Sequence, residues 1–160
     1  MKLAFTGHRG LPEATERLVD ADIRAALAER GGGKDELVGH SCIADGADAL
    51  FAQAILDAGG SLVVVVPAAK YRDGLPESYH PTYDALLSRA EQVIQLDHTE
   101  STSASHMHAS LRMIEDADEL LAVWDGQPAR GYGGTADVVH AANERGIPVT
   151  VIWPPGAERD

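Results

Sequence analysis

Apolar positions along the chain follow two alternating rhythms. Residues 2–6, 36–41 and 62–66 are short runs that predict strands. Between the first two, Leu18, Val19, Ile23, Ala26 and Leu27 share one helical face, with Pro12 in the first turn and Gly31-Gly32-Gly33 as the stop. Ala47, Leu50, Phe51, Ala54, Ile55 and Ala58 then recur at helical spacing until Gly59-Gly60. The run 62–66 is apolar at every position, the mark of a strand covered on both faces, as in a parallel sheet under helices. The second half repeats the rhythm: a helix face of Tyr79, Tyr83, Leu86, Leu87 and Ala90, a strand at 92–96, a helix at 106–117, a strand at 119–124, a helix at 135–145 and a strand at 148–153.

Strands separated by helices of these lengths pair in parallel through right-handed crossovers. The fold class expected is α/β, a Rossmann-like three-layer α/β/α sandwich with a mainly parallel sheet of about six strands. Residues 1–153 form the expected domain, and 154–160 the expected flexible tail.

Composition narrows the partners. With 25 acidic and 13 basic side chains the net charge is -12, which argues against a nucleic-acid surface, since neutralising several phosphates takes clustered Lys and Arg. No apolar run approaches the roughly 20 residues of a membrane helix, no signal-peptide core follows Met1, and the single Cys42 has no partner for a disulfide. A cytoplasmic protein without membrane contact is expected. A small anion remains compatible with the acidity, because screening over about 8 Å lets one local cluster outweigh distant carboxylates.

Open parallel sheets bind ligands beyond the carboxyl ends of their strands. The loops there read Thr6-Gly7-His8-Arg9-Gly10, then Ser41-Cys42-Ile43-Ala44-Asp45-Gly46-Ala47-Asp48, and finally Gly131-Tyr132-Gly133-Gly134-Thr135 before a helix. Four of the 13 cations, Arg9, Lys70, Arg72 and Arg130, fall on this edge. Glycines before a helix let backbone N–H groups approach a phosphate at the positive end of the helix dipole, although the same residues also suit a plain turn. Other motifs fail: there is no G-x-G-x-x-G after the first strand, Gly33-Lys34 is followed by Asp35, and the nucleophile-elbow-like Gly39-His40-Ser41-Cys42-Ile43 lacks its second glycine. His106 and His108 stand two apart on a helix and point to different sides, so with His98 they make poor metal ligands; no metal and no cofactor is expected.

Residues 41–49 resemble the S-G-[LM]-A-x-G-[IV]-D segment of the DNA-processing protein A (Smf) family, and 131–135 resemble the P-G-G-x-G-T loop of the Lonely Guy (LOG) nucleotide phosphoribohydrolases. With Met113, Asp116 and Asp118 before a strand, the chain resembles the SLOG superfamily of Rossmannoid nucleotide-binding proteins. The resemblance implies a nucleotide pocket and a homodimer. It also implies where catalytic groups should stand, and there the chain departs: Val138 replaces the LOG glutamate, with Asp137 one position early, and Ala109 replaces the arginine, with Arg112 three positions later.

The expectation is therefore a small phosphorylated nucleotide-type ligand, bound in the manner of a sensor or carrier. Backbone amides of Gly7 and of Gly131, Gly133, Gly134 and Thr135 would hold phosphate with Arg9 as charge partner, Ser41, Gly46 and Asp48 would bound the ribose or base, and His8 and Arg130 are further expected ligand-binding residues. Two alternatives stand beside it: a nucleoside monophosphate N-glycosidase using Asp137 as acid or nucleophile and Arg112 or Arg130 as cation, and a structural protein with a vestigial pocket that acts through oligomerisation.

Overall fold

The computed structural model describes residues 1–30 and 37–159. Within them six strands form one sheet, β1 (Lys2–Gly7), β2 (Val38–Ser41), β3 (Ser61–Val66), β4 (Gln92–Gln95), β5 (Glu119–Val123) and β6 (Val149–Ile152). Five helices join them: α1 (Glu13–Glu29), α2 (Ala47–Asp57), α3 (His80–Ser88), α4 (Ser103–Ile114) and α5 (Thr135–Glu144). The expected glycine stop at 31–33, the start of the second strand at Glu36, and Asp160 lie outside the described residues.

Every pairing is parallel, in the order β4-β3-β2-β1-β5-β6. The chain winds outward from β1 through β4 and then returns to place β5 on the other side of β1. The order reverses between β1 and β5, and their carboxyl ends open the crevice where such sheets take ligands.

Alternation within the central strands explains the layers. Leu3, Phe5, Leu121 and Val123 point to one face, where Val19, Ile23 and Leu27 of α1 and Phe51 and Ile55 of α2 cover them. Phe5 stacks on Phe51 with ring centroids 4.5 Å apart. Ala4, Leu120 and Ala122 point to the other face, packed with Met107 and Met113 of α4 and Val138 and Ala142 of α5. Each large side chain so buried contributes about 1.5–3 kcal/mol. The outer strand β4 is largely exposed, unlike the fully buried β5.

α4 begins at Ser103, three residues before the expected start. A capping box sets it: the Thr102 hydroxyl accepts from Ser105 N–H, and the Ser105 hydroxyl accepts from Thr102 N–H. The helix ends at Ile114 because Glu115 is extended and Asp116 adopts φ 61°.

At the amino end of the sheet the polar groups close on one another. Arg30 forks onto Glu119 with two 2.7 Å bonds and also donates to Ala26 O, while the Thr150 hydroxyl donates to Glu119. The Arg30 guanidinium holds the Glu119 carboxyl below its ordinary range. Beyond β6, both backbone groups of Glu158 bond the Thr15 hydroxyl, so residues 154–159 lie against α1. No helix among the described residues is long and apolar enough to cross a membrane.

Candidate functional site

A cavity of about 610 Å³ opens at the crevice between β1 and β5. Nine of the residues expected to bind ligand line it: Gly7, His8, Arg9, Asp48, Arg130, Gly131, Gly133, Gly134 and Thr135. Its floor and far wall come from Cys42, Tyr71, His106, Ser110 and Met113, and Arg159 reaches in from the C-terminal segment.

Ser41 and Gly46 belong to the loop but not to the lining. The fully buried Ser41 hydroxyl accepts from Ile43 N–H at 2.9 Å and holds Ile43 at φ 45°, a conformation a β-branched residue rarely adopts. Tyr79 fixes the same turn by donating its hydroxyl to Ile43 O. Gly46 is required by shape: its φ is +91°, and a Cβ there would stand 2.8 Å from His8 O. The neighbouring Ala47 N–H donates to that same carbonyl at 3.1 Å, which locks the first glycine loop against α2.

The catalytic pair expected on the hydrolase alternative is not brought together here. Neither Asp137 nor Arg112 lines the cavity. The Asp137 carboxylate accepts from Gly133 N–H at 2.9 Å across the first turn of α5, as the sequence spacing of a capping acid allows. Arg112 faces a separate depression of about 520 Å³ with Glu115 and Arg145.

Charge on this edge is redistributed relative to expectation. Lys70 pairs with Glu100 at 3.0 Å and Arg72 forks onto Asp84 at 2.8 Å, and neither lines the cavity. Arg9 keeps its place but gives its Nε to Asp45 at 2.8 Å. Arg130 makes no hydrogen bond or ion pair among the described residues. Arg159 stands 3.7 Å from Asp125, too long for a strong pair, and turns a further cation toward the cavity.

Backbone donors complete this end. Gly133 and Gly134 N–H groups are used internally, on Asp137 and on Gly131 O. The amides of Thr135 and Ala136, at the start of α5, have no protein acceptor among the described residues. They are the free first-turn donors at the positive end of a ten-residue helix. His8, 3% exposed, accepts at Nε2 from Asp125 N–H at 3.0 Å, and its Nδ1 has no partner. Burial, aided by Arg159, lowers the His8 pKa, so the ring is neutral at pH 7.

The opposite end differs. The Asp48 carboxyl is 8% exposed and its pKa is raised to about 7 by burial, while its Oδ2 accepts only Ala44 N–H at 3.3 Å. His106 contacts the Tyr71 ring edge-on and exchanges a 2.8 Å bond with Ser101, and burial lowers its pKa. Cys42 is buried and its thiol is pushed well above the usual range, so it packs as an apolar group. His98 and His108 meet each other at 2.8 Å on the outer surface, away from His106. Among the described residues no three metal-donor side chains converge.

A parallel α/β sheet with a cavity at its switch point is a Rossmann-like architecture, and solved structures share this fold. The DNA processing protein A of Streptococcus pneumoniae superposes with a TM-score of 0.69 at 18% identity, over 97% of this chain and 51% of that one. The Helicobacter pylori protein of that name, described for its single-stranded DNA binding mode, gives 0.68 at 16% identity over 99% and 68%. The Moco carrier protein of Chlamydomonas rheinhardtii gives 0.55 at 15% identity over 94% and 76%. The chain thus spans about half the length of the Streptococcus structure. No family model and no curated protein matches the sequence.

Proposed function

We propose that the chain binds a phosphorylated nucleotide or nucleotide-derived molecule in the switch-point cavity, as a sensor or carrier. One observation carries this reading: Arg130, Arg159 and Thr135, whose amide has no acceptor among the described residues, line one cavity of about 610 Å³, a volume ordinary for small-molecule sites. These groups supply two cations and the partial positive charge of a helix terminus, with nothing of the protein's own to neutralise Arg130. Gly7 and Arg9 form the facing wall. The ribose and base would then lie over Cys42, Tyr71 and Met113, beside Asp48.

A melting-temperature screen tests it, with AMP, ADP-ribose, cyclic ADP-ribose, NAD, guanine nucleotides, the matching nucleosides and a single-stranded oligonucleotide. A ligand at 100 times its Kd adds about 2.7 kcal/mol, or a rise of roughly 5–10 °C for a chain of this length. Phosphorylated small molecules should stabilise, and nucleosides should not. No free base should be released. Stabilisation by the oligonucleotide alone, or silence across the panel, rejects the reading.

A further inference from the structure

Asp48 stands apart from the other acids of this edge. Asp45 has Arg9, Glu100 has Lys70, and Asp84 has Arg72. Asp48 has no cation within ion-pair distance, although its side chain is more than nine-tenths buried. One oxygen accepts a single backbone bond from Ala44, and the residue lines the same cavity as Arg130 and Arg159. A carboxyl so placed costs free energy unless something supplies its missing hydrogen bonds.

We propose that Asp48 selects the end of the ligand remote from phosphate, its open oxygen accepting from a paired O–H or N–H donor edge: the vicinal diol of a ribose or the amide-type edge of a base. The proposal rests on the nucleotide reading above and deepens it. A cavity lined by cations and a free helix amide, and also by a buried acceptor without an ion pair, fits a molecule that carries both an anionic group and a donor edge.

A titration signature follows. Burial holds part of the Asp48 population protonated near pH 7, and a donor edge binds the carboxylate form, so binding expels that proton to the buffer. The groups facing Asp48 do not share this behaviour. Arg9 is paired with Asp45, the phenols of Tyr71 and Tyr79 and the Cys42 thiol are pushed upward by burial, and His106 is pushed downward. Each of these shifts moves its group away from the range pH 6.5–8.

The test is calorimetric titration of AMP, dAMP, GMP and dGMP into the wild-type chain and Asp48→Asn, at pH 7 in two buffers of different ionisation heat. The phosphate's own ionisation is common to both chains and cancels in the difference. Wild type should release roughly half a proton more than Asp48→Asn, and the variant should bind about tenfold or more weakly. Equal loss for both deoxynucleotides assigns the diol; a difference between AMP and GMP assigns the base edge. Equal affinity and equal proton release in the two chains overturns the proposal and leaves nucleotide binding intact. Where none of the four binds wild type, the ligand that the melting-temperature panel identifies takes their place, and silence across that panel overturns both. Should Asp48→Asn fail to fold, the wild-type chain decides alone: affinity that does not tighten between pH 6 and 8, beyond the change seen with phosphate alone, rejects the role.

Discussion

The two ends of the sheet handle polar groups in opposite ways. At the amino end, Arg30, Glu119 and Thr150 form a closed network in which each charged group has partners of its own protein. At the carboxyl end, among the described residues, Arg130 has no ion pair, Asp48 no cation, His8 Nδ1 no acceptor, and two helix amides have no acceptor. For the buried His8 and Asp48 folding alone would favour the first arrangement, because an unsatisfied buried group costs about 1–3 kcal/mol, whereas Arg130 is exposed and is left without an ion pair at little cost. The second persists where a molecule from outside completes the bonds.

Breaking the closed end should have the largest effect on folding. Glu119→Ala leaves Arg30 largely buried without its partner and should cost about 3–5 kcal/mol in urea unfolding, with affinity for phosphorylated ligands unchanged wherever the chain is folded. The open end should behave in reverse. Arg130→Ala and Arg159→Ala should each weaken a phosphorylated ligand about tenfold, the loss of one charge-assisted bond, and move stability by less than about 0.5 kcal/mol.

A smaller effect comes from pH. Burial raises the Asp48 pKa to about 7, above its ordinary 3.8, so the folded chain holds the extra proton and stability falls as pH rises through that window. Asp48→Asn should therefore gain on wild type, on the order of 1–3 kcal/mol, between pH 5 and pH 8. His40 works with the opposite sign. It is buried in β2, and burial, with Lys2 and Arg112, lowers its pKa to about 4, so stability is lost as pH falls from 6.5 toward 4. Urea titrations across pH 4–8 resolve the two limbs. Least of all should be Arg72→Ala, which removes an exposed pair with Asp84 and should change stability by less than about 1 kcal/mol.

Much of the fold was legible because burial on both faces imprints itself on every residue of a strand. Residues 62–66 and 119–123 carry that imprint, and both strands lie where the apolar runs place them. The start of α4 was not legible, since its capping box uses Ser105 where the usual signal is Glu or Gln. At the cavity, the glycine loops, Arg9, Arg130 and Asp48 could be found because residues just after parallel strands share one edge. Arg159 could not, because residues 154–160 read as a tail, and its position depends on the Glu158–Thr15 bonds across the length of the chain. His106, Ser110 and Met113 look like any helical face until α4 is laid beside the crevice. Nor does spacing reveal that Arg9 meets Asp45, or that Asp137 turns back to Gly133 instead of entering the cavity.

The contrast between the two ends comes down to whether the first amides of α5 are waiting for an anion. Amide proton chemical shifts of Thr135 and Ala136, recorded while a nucleoside monophosphate and then its nucleoside are added, measure this directly. Both resonances should move downfield with the phosphorylated form and stay in place with the nucleoside, while those around Arg30 and Glu119 remain still. Unmoved Thr135 and Ala136 resonances at a saturating concentration of a nucleotide that raises the melting temperature would contradict the assignment.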